Sequence, residues 1–151
     1  LLSTSSTAPT LPTGYTFKRR VGWMRNNASS NFQPSKQFGN QVILEQTTAA
    51  SGLSATTVTS VDISAAVPPT CRTACIRIYP QTIGTTSFNL SSRLDGTWEY
   101  YVGALAEASG GASRTSNLWF IPLTTGQVCY YKADAAGWSV DLCVLGYIDL
   151  L

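Results

Sequence analysis

Apolar and polar residues alternate with a period of two through much of this chain, which predicts β-strands rather than helices. The first such run begins at Tyr15. Tyr15, Phe17, Arg19, Val21 and Trp23 share one face, and Thr16, Lys18, Arg20 and Met24 the other. Asn26-Asn27-Ala28-Ser29 supplies a turn, because Asn tolerates positive φ. Residues 32–34 predict a short edge strand and 41–47 (QVILEQT) a clearer one, followed by a small polar loop at 48–54. In 56–64, Val58, Ser60 and Asp62 oppose Thr59, Val61 and Ile63, and Pro68-Pro69 stops the pattern. The sharpest run is 71–79 (CRTACIRIY). Its Ala74, Ile76 and Ile78 form an apolar stripe, and Thr73, Cys75, Arg77 and Tyr79 occupy the opposite face. That is a core strand, closed by Pro80.

Beyond Pro80 the predicted strands are 87–90, 98–102 after the Leu94-Asp95-Gly96 turn, 117–121 before Pro122, and 127–132 after Thr125-Gly126. A glycine-containing break falls at 107–113, and 102–108 is the single helix candidate. Residues 128–132 and 139–148 flank Asp134-Ala135-Ala136-Gly137 and read as a β-hairpin. About ten short strands with regular turn signals predict an all-β fold, an antiparallel β-sandwich or jelly-roll-like domain. Residues 3–14 carry Ser, Thr and two prolines, which disfavour helix. The expected organisation is a Ser/Thr/Pro connector over 1–14, leading from an upstream region of a larger polypeptide, and a single β-sandwich domain over 15–151.

Composition narrows the chemistry. A chain of 151 residues is one domain's length and can bury about two-thirds of its extended surface. Ser (17) and Thr (19) make up nearly a quarter of it, the polar and β-branched composition of β-rich surfaces. Ten Lys+Arg against eight Asp+Glu leave a net charge of +2, which excludes the polybasic footprint of a nucleic-acid binder. No apolar run approaches 18 residues, so no membrane insertion is predicted. The chain has no histidine, which removes Ser-His-Asp and Cys-His catalysis and every His-containing zinc set. Asp95 and Glu99 are the one pair of neighbouring acids that a glycosidase could use. In Leu94-Asp95-Gly96, however, Asp95 reads as a turn residue, and no GxSxG elbow, phosphate loop or dinucleotide fingerprint occurs. The sequence therefore predicts no catalytic residue, no enzyme and no cofactor.

Cys71 and Cys75 lie about 13 Å apart along a strand, too far for a mutual bridge. Cys129 and Cys143 fall opposite or diagonal in the predicted hairpin, where a disulfide is possible; the alternative is reduced, buried thiols. Neither pair has the CxxC spacing of a metal knuckle, so no metal is expected. Lys18 and Arg20 share one strand face and are candidates for an anionic contact or an interface. The aromatics Trp98, Tyr100, Tyr101, Tyr131 and Trp138 are candidate glycan ligands. Adjacent tyrosines on a strand point to opposite faces, so at least one of each pair leaves the core. Packing in the core or between subunits is the other role open to them.

The segment Leu11-Pro12-Thr13-Gly14-Tyr15-Thr16-Phe17-Lys18-Arg19-Arg20-Val21-Gly22 resembles one that recurs in bacteriophage tail and tail-fibre-type virion proteins. The preceding LLSTSSTAPT is similar to the same group, and together the match covers about 22 residues. The resemblance implies a virion component, assembled in the host cytoplasm with other virion subunits and homo-oligomeric, for instance a trimer. Its implied role is a tail-fibre or receptor-binding domain for host attachment, with host surface polysaccharide as the partner. The alternatives are a purely structural fibre, collar or capsid decoration protein, and a secreted carbohydrate-binding module.

Overall fold

The computed structural model describes residues 10–17, 23–26, 29, 31–81, 84–91, 100–106, 118–137 and 139–149, with the backbone alone at 80, 84–87 and 100–106. Among these, nine strands form and no helix: β1 (Ser35–Phe38), β2 (Gln41–Leu53), β3 (Thr59–Asp62), β4 (Cys71–Pro80), β5 (Gly84–Ser91), β6 (Tyr100–Ala106), β7 (Leu118–Pro122), β8 (Val128–Ala133) and β9 (Val140–Asp149). One sheet has the order β1-β2-β9-β4-β7 and the other β3-β8-β5-β6. Every pairing is antiparallel.

The pairings nest. β2 pairs with β9, β3 with β8, β4 with β7 and β5 with β6. The chain is thus one long hairpin ribbon, with β2 to β5 on one arm and β6 to β9 on the other. Rolling the ribbon brings β4 beside β9 and β5 beside β8, which completes the two sheets. That is a jelly-roll-like sandwich, with β1 added at the edge of the larger sheet.

The core is where the two sheets face each other, and the alternation of β4 decides its half of the contact. Ala74, Ile76 and Ile78 are buried to 1% exposure or less. They meet Val140, Leu142 and Val144 of β9, Phe88 and Leu90 of β5, and Ile121 of β7 in one apolar cluster. Each fully buried Ile, Leu or Phe side chain contributes about 1.5–3 kcal/mol. Trp23 and Arg25 fasten to the larger sheet. The Trp23 and Tyr147 rings meet edge to face at 6.0 Å. The Tyr147 hydroxyl donates to the Trp23 carbonyl at 3.4 Å, and Arg25 Nη1 donates to Gln33 Oε1 and Thr47 Oγ1.

Four sequence expectations are corrected. Residues 128–132 and 139–148 do not pair: β8 and β9 are successive on one arm of the ribbon, so they fall in different sheets. Residues 102–106 belong to β6 and are strand, because β5 offers them a continuous partner. The expected loop at 48–54 continues β2 to Leu53, where two register shifts, Thr48/Ala50 and Ala50/Leu53, let small residues follow β9. Residues 15–17 and 23–24 form no strand, and 18–22 lie outside the described residues.

Candidate functional site

The outward face of the larger sheet carries an unusual concentration of side chains. On β4 the residues that alternate with the buried stripe are Cys75, Arg77 and Tyr79; on β9 they are Asp141 and Cys143. Register places Arg77 against Cys143 and Tyr79 against Asp141. β2 lies on the other side of β9, with Thr48 opposite Cys143.

At this end the side chains lock together. The Arg77 guanidinium lies 4.3 Å from the centroid of the Tyr79 ring, a cation–π contact that holds both groups in place. The Tyr79 hydroxyl donates to Gln46 Oε1 at 3.4 Å, and Gln46 Nε2 donates to the Cys143 sulfur at 3.6 Å. Thr48 Oγ1 lies 3.7 Å from the same sulfur. Asp141 accepts from Gln81 Nε2 at 2.6 Å through one oxygen and from the Gly52 backbone N–H at 3.0 Å through the other. Gly52 has φ +65°, a conformation in which a side chain would be strained. The result is a half-exposed shelf of one phenol ring, one guanidinium, two carboxamides and one carboxylate, drawn from three adjacent strands and the residue after β4. Each carboxamide has two N–H donors and an acceptor oxygen, so the shelf pairs with ligands that present donors and acceptors together.

Further along the same face the character becomes apolar. Ile43, Gly146, Cys75 and Phe120 form one row across four strands. Ile43 and Phe120 are each 46% exposed and Leu118 is 55% exposed. They line a groove of about 190 Å³ together with Leu145. Gly146 forms part of this groove, and a Cβ there would run into the backbone oxygen of Val42.

The sequence-derived candidates fare differently. Tyr131 is corrected: it is 4% exposed, stacks on Phe88 at 5.1 Å and 13°, and its hydroxyl accepts from the Ala55 N–H at 3.2 Å. It is a core residue, because its alternation on β8 points it between the sheets. Its neighbour Tyr130 takes the other face. Cys129 and Cys143 are both free and buried. Cys129 points between the sheets from β8, whereas the Cys143 sulfur lies beside Gln46 and Thr48 on the outward face of the larger sheet, so the two thiols do not face each other. Burial pushes the Cys129 thiol up to about 12 and the Cys71 thiol to about 11, and raises Cys75 as well. Thiols so held are protonated at neutral pH and are poor nucleophiles and ligands. Among the described residues no group of three or more Cys, Asp or Glu is placed to hold a metal. Tyr100 and Tyr101 begin β6, opposite Leu90 and Asn89, but their side chains lie outside the described residues, as do Lys18, Arg20, Trp98 and Trp138.

Sequence reasoning placed Arg77 and Tyr79 on one face but gave them no role, and it missed Gln46, Gln81 and Asp141 entirely. The signal available was the pair of polar residues alternating with isoleucine on a core strand. No family model matches the chain, and a search of curated proteins finds no match either.

Proposed function

We propose that this chain is a non-enzymatic attachment module of a bacteriophage particle, a tail-fibre or receptor-binding domain that holds host-surface saccharide. The observation that carries this reading is the Tyr79–Arg77–Gln46–Gln81–Asp141 shelf. Saccharide hydroxyls both donate and accept, and planar carboxamide, guanidinium and carboxylate groups meet them in pairs. The Tyr79 ring gives the apolar face of a sugar something to lie against. Jelly rolls occur in both viral capsid and lectin domains, an analogy of fold that agrees with the reading without carrying it. The likeness of residues 1–22 to tail-fibre-type proteins supplies the setting.

The test is binding of the chain to host cells and to arrayed surface glycans, with Tyr79→Ala and Asp141→Asn beside the parent. The expected result is adsorption by the parent and a loss of about tenfold or more in each variant, with thermal unfolding little changed. Adsorption that both variants retain in full refutes the shelf as the site. A chain that adsorbs to no envelope component favours the second reading, a purely structural fibre, collar or capsid decoration protein. The observation behind that reading is the exposed apolar row at Leu118 and Phe120.

A further inference from the structure

Among the described residues two apolar surfaces stand exposed, and they match. One is the groove between Ile43 and Phe120, about 190 Å³ in volume and lined by Leu118 and Leu145. The other is the segment 10–17, turned at Pro12 by the Tyr15 N–H donating to its carbonyl at 3.2 Å. On this segment Tyr15 is 68% exposed and Phe17 is 90% exposed, so the Phe17 ring stands in solvent beside Leu11, Pro12 and Tyr15. An antiparallel sheet face turned to water is normally polar. An apolar row there, on a chain that also presents a bare benzyl group, marks an interaction surface.

We infer that the groove is the receptor for Phe17 of a second copy of this chain. Size supports the pairing: an apolar cavity of about 150 Å³ lined by aliphatic and aromatic side chains accepts benzene, and this groove is slightly larger and open on one side. Charge adds to it. Lys18, Arg19 and Arg20 follow Phe17 in the sequence, and the exposed carboxylate of Glu45 stands two residues from Ile43. Lys36, opposite Ile43 on β1, offsets part of that attraction, so the apolar contact carries the affinity. Area sets the strength. Two aromatic side chains bury roughly 300–500 Å², about half of the ~800 Å² per partner in a standard interface. The contact is therefore weak taken singly, and is multiplied in an assembly.

Knob and hole lie on different parts of one molecule, so the contact either is made twice across a two-fold axis or runs head to tail, closing into a ring or continuing as a chain of subunits. That geometry is independent of the saccharide shelf, which uses the other end of the face.

The experiment is sedimentation of the 151-residue chain from 10 μM to 1 mM, with Phe17→Ser and Phe120→Glu variants alone and mixed. Both positions are exposed, and circular dichroism checks that each variant is folded. The parent is expected to gain mass with concentration, stopping at a dimer if the contact is reciprocal and passing beyond it if it runs head to tail. Each variant alone loses affinity by roughly 10- to 100-fold and stays monomeric over most of the range. The equimolar mixture is expected to stop at a 1:1 dimer, since Phe17→Ser retains the groove and Phe120→Glu retains the knob. A parent that is monomeric at 1 mM overturns the inference. So do variants that associate like the parent, and a mixture in which no dimer forms. If Phe17→Ser perturbs the groove's methyl resonances with no dependence on concentration, the ring occupies its own chain's groove, and the second copy is refuted.

Discussion

Replacing Tyr131 separates a core ring from a surface ring more sharply than any other single change. Its side chain contributes in three ways. The ring is 4% exposed and packs in the sandwich, so truncation to Ala leaves a cavity of the kind that costs about 3–5 kcal/mol for large aromatics. The stack on Phe88, at 5.1 Å and 13°, is worth about 0.5–1.5 kcal/mol beyond burial. The hydroxyl accepts the Ala55 N–H, and Ala55 in turn accepts from the Ala133 N–H at 2.8 Å. Ala55 is half-buried, so water replaces part of the lost bond, and Tyr131→Phe costs only about 0.5–1 kcal/mol. For a domain of about 150 residues each kcal/mol shifts the melting temperature by about 2–4 °C. Tyr131→Ala is thus expected to melt roughly 6–20 °C lower, and Tyr131→Phe no more than about 4 °C lower. A cycle with Phe88→Ala, followed by guanidinium unfolding, isolates the coupling of the two rings. If Tyr131→Ala costs less than about 1 kcal/mol, or the cycle shows no coupling, the ring does not lie between the sheets and the assignment of β8 is wrong.

Alkaline pH should unfold the protein through Cys129. Burial raises that thiol from the ordinary 9.0 to about 12, so the folded state keeps a proton that the unfolded chain loses. Cys129 alone then lowers stability by about 1.4 kcal/mol per pH unit between about pH 9 and about pH 12, and Cys71 adds a similar slope up to about pH 11. Urea titrations at stepped pH should show that slope flattening in Cys129→Ala, and an unchanged slope refutes the assignment. Gly146→Ala should destabilise by about 1–3 kcal/mol, because its Cβ meets the Val42 backbone oxygen. A neutral or stabilising result, read by chemical denaturation, would show that β2 gives way there. Finally, the four buried thiols should resist an aromatic disulfide reagent for minutes in the native state and all react in guanidinium. Intact mass should reveal no Cys129–Cys143 bridge after mild oxidation, and a bridge formed without unfolding contradicts the placement of Cys143 on the outward face.

What the sequence made legible follows from how far each signal reaches along the chain. Period-two alternation is local, so β4 with its Ala74-Ile76-Ile78 stripe and opposing Arg77 and Tyr79 could be read directly. The second half of β2 could not. Its Thr-Thr-Ala-Ala-Ser run has no apolar alternation, and it becomes strand only because β9, nearly a hundred residues later, supplies its partner. The turn at 134–137 announced a change of direction correctly, yet a turn does not say whether the next strand joins the same sheet or crosses to the other. Here the ribbon's roll decides, and that decision also separated Cys129 from Cys143. The candidate shelf was hidden for the same reason. Gln46, Tyr79 and Asp141 become neighbours only through register, and nothing local marks Gln46 or Asp141 as different from any polar strand residue.

The nested pairing also fixes an order of events during synthesis. β9 sits in the middle of the larger sheet, with β2 on one side and β4 on the other, so neither early strand has its main partner until residues 140–149 have left the ribosome. A nascent chain can close β5 on β6 and then zip outward, but its oldest strands wait longest with open edges. Folding governed by such distant contacts is slow, on the order of milliseconds to seconds, and the waiting edges are where newly made copies are most exposed to one another.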